Sequence, residues 1–145
     1  MKIIMPQHLV KAMSAWLEEA YPHEACGFLT GRLEGATRIV EQIIPVANRS
    51  TENLRRRFVI DPLDYLRAEQ QADAAGRVLL GVFHSHPDHP AVPSEHDLAS
   101  AQPFFSYVIA SIENGSMSAI RSYQLQHEAF TEEQFVHHKE ETISL

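Results

Sequence analysis

Val78-Leu79-Leu80-Gly81-Val82-Phe83-His84-Ser85-His86-Pro87 is an apolar run that ends in two histidines one residue apart. Such a run reads as a core strand. Side chains two apart on a strand leave on the same face, so both imidazoles point to one side of the sheet. Pro87, Pro90 and Pro93 then stiffen the path to Ser94 and, eleven residues after His86, to Asp97.

Outward from this stretch, elements fall on both sides. Leu9, Val10, Met13, Trp16, Leu17 and Ala20 recur at helical spacing, which predicts a helix from about 7 to 21, ended by Pro22. Residues 25–32 and 38–46 read as a hairpin around Leu33-Glu34-Gly35-Ala36. Asn48 to Arg57 is polar and loop-like, and Phe58-Val59-Ile60 reads as a short strand before Asp61-Pro62. A helix from about 62 to 75 starts at Pro62 and stops before Gly76. A short helix begins near Ser94. Residues 105–112 and 119–125 form a second expected hairpin around Glu113-Asn114-Gly115-Ser116. Residues 127–136 give a last strand, followed by a polar tail. Hairpins with helices between some of them predict a mixed α+β sheet.

The 145 residues are expected to form one domain, residues 1–145, with a core over about 7–136. With 44% hydrophobic and 21% charged residues the chain reads as an ordinary globular protein, and a net charge of −7 argues against nonspecific nucleic-acid binding. One cysteine excludes an intrachain disulfide. No stretch of about 18 apolar residues is present, and Met1-Lys2-Ile3-Ile4-Met5-Pro6 is too short for a signal core. These features lead to the expectation of a cytoplasmic protein with no membrane partner.

A catalytic zinc takes three protein ligands and keeps one position open. His84 and His86 offer two nitrogens from one strand face, and Asp97 offers a carboxylate from the first turn of the following helix. Ser94 brings a hydroxyl to the same side of that turn. Glu24, just before Ala25-Cys26-Gly27-Phe28-Leu29, is the upstream candidate for a general base.

In order and spacing, Glu24, His84-x-His86 and Ser94-x-x-Asp97 resemble the motif of the JAMM (MPN-plus) zinc metalloprotease family. The segment Pro22-His23-Glu24-Ala25-Cys26-Gly27-Phe28-Leu29-Thr30-Gly31 and the pair Pro93-Ser94 resemble its short prokaryotic members. The resemblance covers roughly residues 7 to 125. It implies a barrel-like mixed β-sheet flanked by helices, in the MPN/JAB, cytidine-deaminase-like arrangement. It implies one Zn2+ per chain on His84, His86 and Asp97, with Glu24 as acid/base and Ser94 as oxyanion donor. It further implies hydrolysis of a peptide or isopeptide bond beside the C-terminal Gly-Gly of a ubiquitin-like or sulfur-carrier protein. The partner's tail is expected to lie along a sheet edge as an added strand.

Other readings stay beside this one. Ser94-x-x-Asp97 is also close to a helix capping box, in which an acid three residues on reaches back to the serine amide. On that reading Asp97 serves the cap or the metal, not both. His84-Ser85-His86-Pro87-Asp88-His89 fits the metallo-β-lactamase signature, with Asp88 and His89 as further ligands. Relatives that lack the metal ligands act as scaffolds. Cys26 reads as a small buried residue, Arg55-Arg56-Arg57 as a solvated run that can meet substrate, and His8, His23, His96, His127, His137 and His138 as surface side chains.

Overall fold

The computed structural model describes residues 1–138; the expected polar tail lies outside them. Among the described residues the order is β1 (Lys2–Pro6), α1 (Gln7–Ala20), β2 (Cys26–Glu34), β3 (Thr37–Val46), α2 (Pro62–Ala74), β4 (Val78–Pro87), α3 (Glu95–Ser100), β5 (Ser106–Glu113), β6 (Ser116–Gln126) and β7 (Ala129–His138). The strands close a barrel in the order β1-β3-β2-β4-β5-β6-β7. Antiparallel hairpins make most of the wall, while β4 runs parallel to β5 and β1 runs parallel to both β3 and β7. The expected mixed, barrel-like α+β architecture is present.

Local chemistry sets the ends of the helices. Helix α1 buries Leu9, Val10, Met13 and Leu17, and it stops at Tyr21, whose ψ of 134° is the extended backbone that a following proline demands. Helix α2 is capped by Asp61, whose carboxylate accepts from the Leu63 amide at 2.9 Å, with Pro62 opening the first turn. Gly76, at φ +69°, takes the left-handed turn that lets the chain leave α2 for β4.

Alternation along β4 decides where the site lies. Phe83 packs with α1 residues in one apolar cluster, whereas Val82 packs with Ala68 of α2, Phe28 and Tyr107 in another. His84 and His86 share the parity of Val82, so they leave the strand on the α2 side. Apolar packing covers both faces, and Leu79 to Pro87 are all buried.

Two expectations need correction. Residues 2–6 form a strand, with Ile3 and Met5 buried toward the core, instead of a plain lead-in to α1. Phe58-Val59-Ile60 joins no ladder, because the Asn48 side chain accepts from the Val59 amide at 3.0 Å where a strand partner would. The barrel closes between β1 and β7, while β3 beyond Ile39 and β6 before Ser122 have a strand partner on one side only among the described residues. No helix among the described residues is long and apolar enough to cross a membrane.

The approach of β4 to β5 depends on Gly81, where a Cβ would stand 1.9 Å from the Ser106 carbonyl oxygen. Gly81→Ala is expected to cost about 3 kcal/mol or more in chemical denaturation, since backbone must move to admit the methyl group. A loss below about 1 kcal/mol would contradict this packing.

Candidate metal centre

The end of β4 meets the first turn of α3. His84 and His86 are each 1% exposed and Asp97 is 7% exposed. His84 Nε2 lies 3.1 Å from His86 Nε2 and 3.3 Å from Asp97 Oδ1, while His86 Nε2 lies 3.1 Å from Asp97 Oδ2. In a tetrahedral site with bonds of about 2.0–2.1 Å, ligand atoms stand about 3.3–3.4 Å apart. The three side chains therefore already sit at the spacing of metal ligands.

Their protonation also suits a cation. His86 Nδ1 lies 2.8 Å from the Pro90 carbonyl, which can only accept, so Nδ1 donates there and Nε2 is the nitrogen turned to the cluster. Burial pushes the His84 pKa down and keeps that ring neutral, with its face stacked on Phe58 at 4.4 Å. Burial alone would raise the Asp97 carboxyl, but its contacts with His84, His86 and the Ser94 amide outweigh burial and hold it well below the usual carboxylate range. Two imidazole nitrogens and one carboxylate form a donor set that fits a divalent transition metal.

The Ser94–Asp97 turn is a full capping box: Ser94 Oγ accepts from the Asp97 amide at 3.0 Å, and Asp97 Oδ2 accepts from the Ser94 amide at 2.9 Å. The cap is formed, and Asp97 still faces both histidines. A carboxylate has about four acceptor sites, so one oxygen takes the cap while both face the histidines. The Ser94 hydroxyl accepts within the box, and its own proton stays available for donation.

Glu24 arrives from the other side, 3% exposed. The Ala25 amide donates to Ser85 Oγ at 2.9 Å and the Ser85 amide donates to the Ala25 carbonyl at 3.0 Å, which ties the residue after Glu24 to the residue between the two histidines. One carboxylate oxygen of Glu24 is buried with no hydrogen-bond partner among the described residues. Burial first, and the Asp97 charge second, push its pKa up to about 9, against a smaller lowering by Arg56. A carboxyl held out of water this way keeps its proton at neutral pH in the metal-free protein and is a candidate for proton transfer.

His89 belongs to this region more than its place in a loop suggests. Its ring stacks on His86 at 4.1 Å and 17°, and the ligand atoms of Glu24, His86 and His89 all lie within 4.8 Å of one another. Ser111 Oγ holds the His89 carbonyl at 2.7 Å. Asp88 is different. Its two oxygens accept from Tyr21 Oη at 2.5 Å and from the Asn114 amide at 2.9 Å, so it shapes the loop and stays out of the donor cluster. This arrangement does not supply the metallo-β-lactamase ligand set. His96, expected at the surface, is half-buried and lines a cavity of about 150 Å³ with Phe58, Tyr65, His84, Asp97 and Tyr107. Cys26 is fully buried, and burial pushes its thiol up to about 12, which makes it inert. His8, His23, His127 and His137 are exposed; the side chain of His138 lies outside the described ones.

The sign of the Glu24 shift gives a prediction. Its ordinary value is 4.5 and its folded value about 9, so between these the native state keeps a proton that the unfolded chain releases, and stability falls as pH rises through that window. In metal-stripped protein, Glu24→Gln is expected to raise Tm by roughly 3 °C or more at pH 8 and by much less at pH 5. A Tm difference that does not change with pH would contradict the buried, protonated carboxyl.

Residues 6–126 match the family described as prokaryotic homologs of the JAB domain. A Thermus thermophilus protein named probable TtuB-protein conjugate cleaving protease is 35% identical over 107 residues, 74% of this chain and 68% of that one. The Mycobacterium tuberculosis protein named CysO-cysteine peptidase is 33% identical over 132 residues, 90% of this chain and 88% of that one. The solution structure of a Desulfitobacterium hafniense protein superimposes with a TM-score of 0.84 at 34% identity, covering 95% of this chain and 94% of that one. The chain belongs to the prokaryotic JAB family, the JAMM/MPN type that its histidine, serine and acid spacing resembles.

Proposed function

We propose that this protein is a zinc-dependent peptidase that cuts the amide bond after the C-terminal Gly-Gly of a ubiquitin-like or sulfur-carrier protein. Supporting the reading most directly is the meeting of a buried, unpartnered Glu24 with the His84–His86–Asp97 donor set. A scaffold has no need to bury such an acid, which costs stability unless it is used. The relatives named as a conjugate-cleaving protease and as a CysO-cysteine peptidase point to the same substrate class.

A zinc ion held by His84, His86 and Asp97 would supply Lewis acidity, polarising the scissile carbonyl and lowering the proton affinity of a water. The remaining work falls to the chain. Glu24 takes the proton of the attacking water and returns it to the departing amine; burial raises its affinity for a proton, which strengthens it as the base of the first step. The Ser94 hydroxyl, held by its capping bond, donates to the oxyanion. The narrow cavity beside His84, walled by Phe58, Tyr65 and Tyr107, suits a tail without side chains, and Gly-Gly presents none.

Substitutions separate metal holding from proton transfer. Asp97→Ala is expected to lose zinc and activity together, as read by metal content and by intact mass of a Gly-Gly-extended carrier protein. Glu24→Gln is expected to keep one zinc per chain while kcat falls at least about a hundredfold. Asp88→Ala should keep the zinc. Loss of zinc from Asp88→Ala with Asp97→Ala silent would move the centre elsewhere, and a fully active Glu24→Gln would remove Glu24 from the reaction.

A further inference from the structure

The carbonyl that orients His86 sits in a loop fastened on both of its sides. His86 Nδ1 lies 2.8 Å from the Pro90 oxygen, which also accepts from the Val92 amide at 2.8 Å. Both acceptor directions of that oxygen are therefore in use. The proline ring fixes φ at residue 90, so the aim of its carbonyl is set by ψ alone, and hence by how the flanking peptides are held.

Two buried hydroxyls hold them. Ser111 on β5, 2% exposed, donates from Oγ to the His89 carbonyl at 2.7 Å, and Tyr123 on β6, 7% exposed, donates from Oη to the Ala91 carbonyl at 2.8 Å. His89 and Ala91 are the neighbours of Pro90 on either side. Ser111 is also the residue that pairs with His86 across the β4–β5 ladder, so the ligand and the group that fastens its loop share one register. Upstream, the Asp88 amide donates to the Ile112 carbonyl at 2.8 Å, while its carboxylate accepts from Tyr21 Oη and the Asn114 amide. Asp88 holds φ at +57°, a left-handed backbone uncommon for a residue with a Cβ, and these bonds keep it there.

The position of this loop bears on His86 twice, because it also lays the His89 ring on the His86 ring at 4.1 Å. Metal bonds tolerate errors of only about 0.2 Å, and a ring whose Nδ1 bond wanders swings its Nε2 by more than that. Burying a hydroxyl costs stability unless its proton is used, and Ser111 and Tyr123 both use theirs on this loop. We propose, on the basis of the His84–His86–Asp97 zinc reading above, that Ser111 and Tyr123 are positioning residues for His86. They hold the Pro90 carbonyl that aims its ring, and so set how tightly the centre grips the metal.

The test uses the full chain, with zinc affinity read by competition against a chromophoric chelator. In the Ser111→Ala/Tyr123→Phe double variant the zinc dissociation constant is expected to rise at least about tenfold, and each single change is expected to raise it at least about threefold. The single variants carry the test if the double one does not fold. Ile3→Val, a buried change on β1, supplies the comparison for lost packing and is expected to stay within about twofold of the parent protein. In the zinc-loaded parent the His86 Nδ1 proton is expected as a slowly exchanging NMR signal, and in the variants it exchanges with water at least about tenfold faster. Zinc affinity unchanged in the Ser111 and Tyr123 variants, or reduced no more than in Ile3→Val, would overturn the proposal while leaving the zinc centre in place. A parent protein that binds no zinc would overturn the centre and the proposal together. Neither readout uses turnover, so the peptidase reading stands or falls separately.

Discussion

The two hydrogen bonds between Ala25 and Ser85 carry the pairing of β2 and β4 one step past Cys26 and His84. They fix the residue after Glu24 to the residue between His84 and His86. Because Ser85 faces away from the two imidazoles, its hydroxyl can clamp Ala25 without entering the metal cluster. The acid and the ligands come from segments about sixty residues apart in the chain, yet their spacing is set by one short stretch of sheet. In the proposed reaction, rigid placement of this kind would let Glu24 act on a bond held beside the metal.

Around that clamp the site keeps opposing charges in unequal states. Asp97 stays ionised because two histidines and an amide face it, while Glu24, almost equally buried, has an oxygen with no partner and a pKa pushed up to about 9. Two carboxyl groups in one cleft are thereby driven in opposite directions, one toward its charged form and one toward its protonated form. Arg56 lowers Glu24 by a smaller amount, so the basic loop tunes the same acid that its backbone contacts position.

Much of this was legible in the sequence, and the reasons can be named. The His84-x-His86 alternation could be read because a strand has a strict period of two. The capping turn could be read because Ser-x-x-acid satisfies orphan amides at a helix start. Both hairpins announced themselves through turn residues at Gly35 and Gly115, each at positive φ. Closure of the barrel was not legible, since β1 has only five residues and pairs with β7 more than 125 positions away. Nothing local marks such a contact. Asn48 was hidden for a related reason: a polar residue in a polar loop gives no sign that it binds two carbonyls and two amides. His96 reads as a surface side chain because its neighbours in sequence, Glu95 and Asp97, are acidic, whereas in space it lines the aromatic cavity beside His84.

The central claim is that two imidazoles and one carboxylate hold the metal while His89 stands outside, stacked on His86. X-ray absorption of the zinc-loaded protein tests it directly. The account predicts a spectrum fitted by two histidine nitrogens and oxygen ligands, unchanged in His89→Ala. A third imidazole that disappears on that substitution would contradict it.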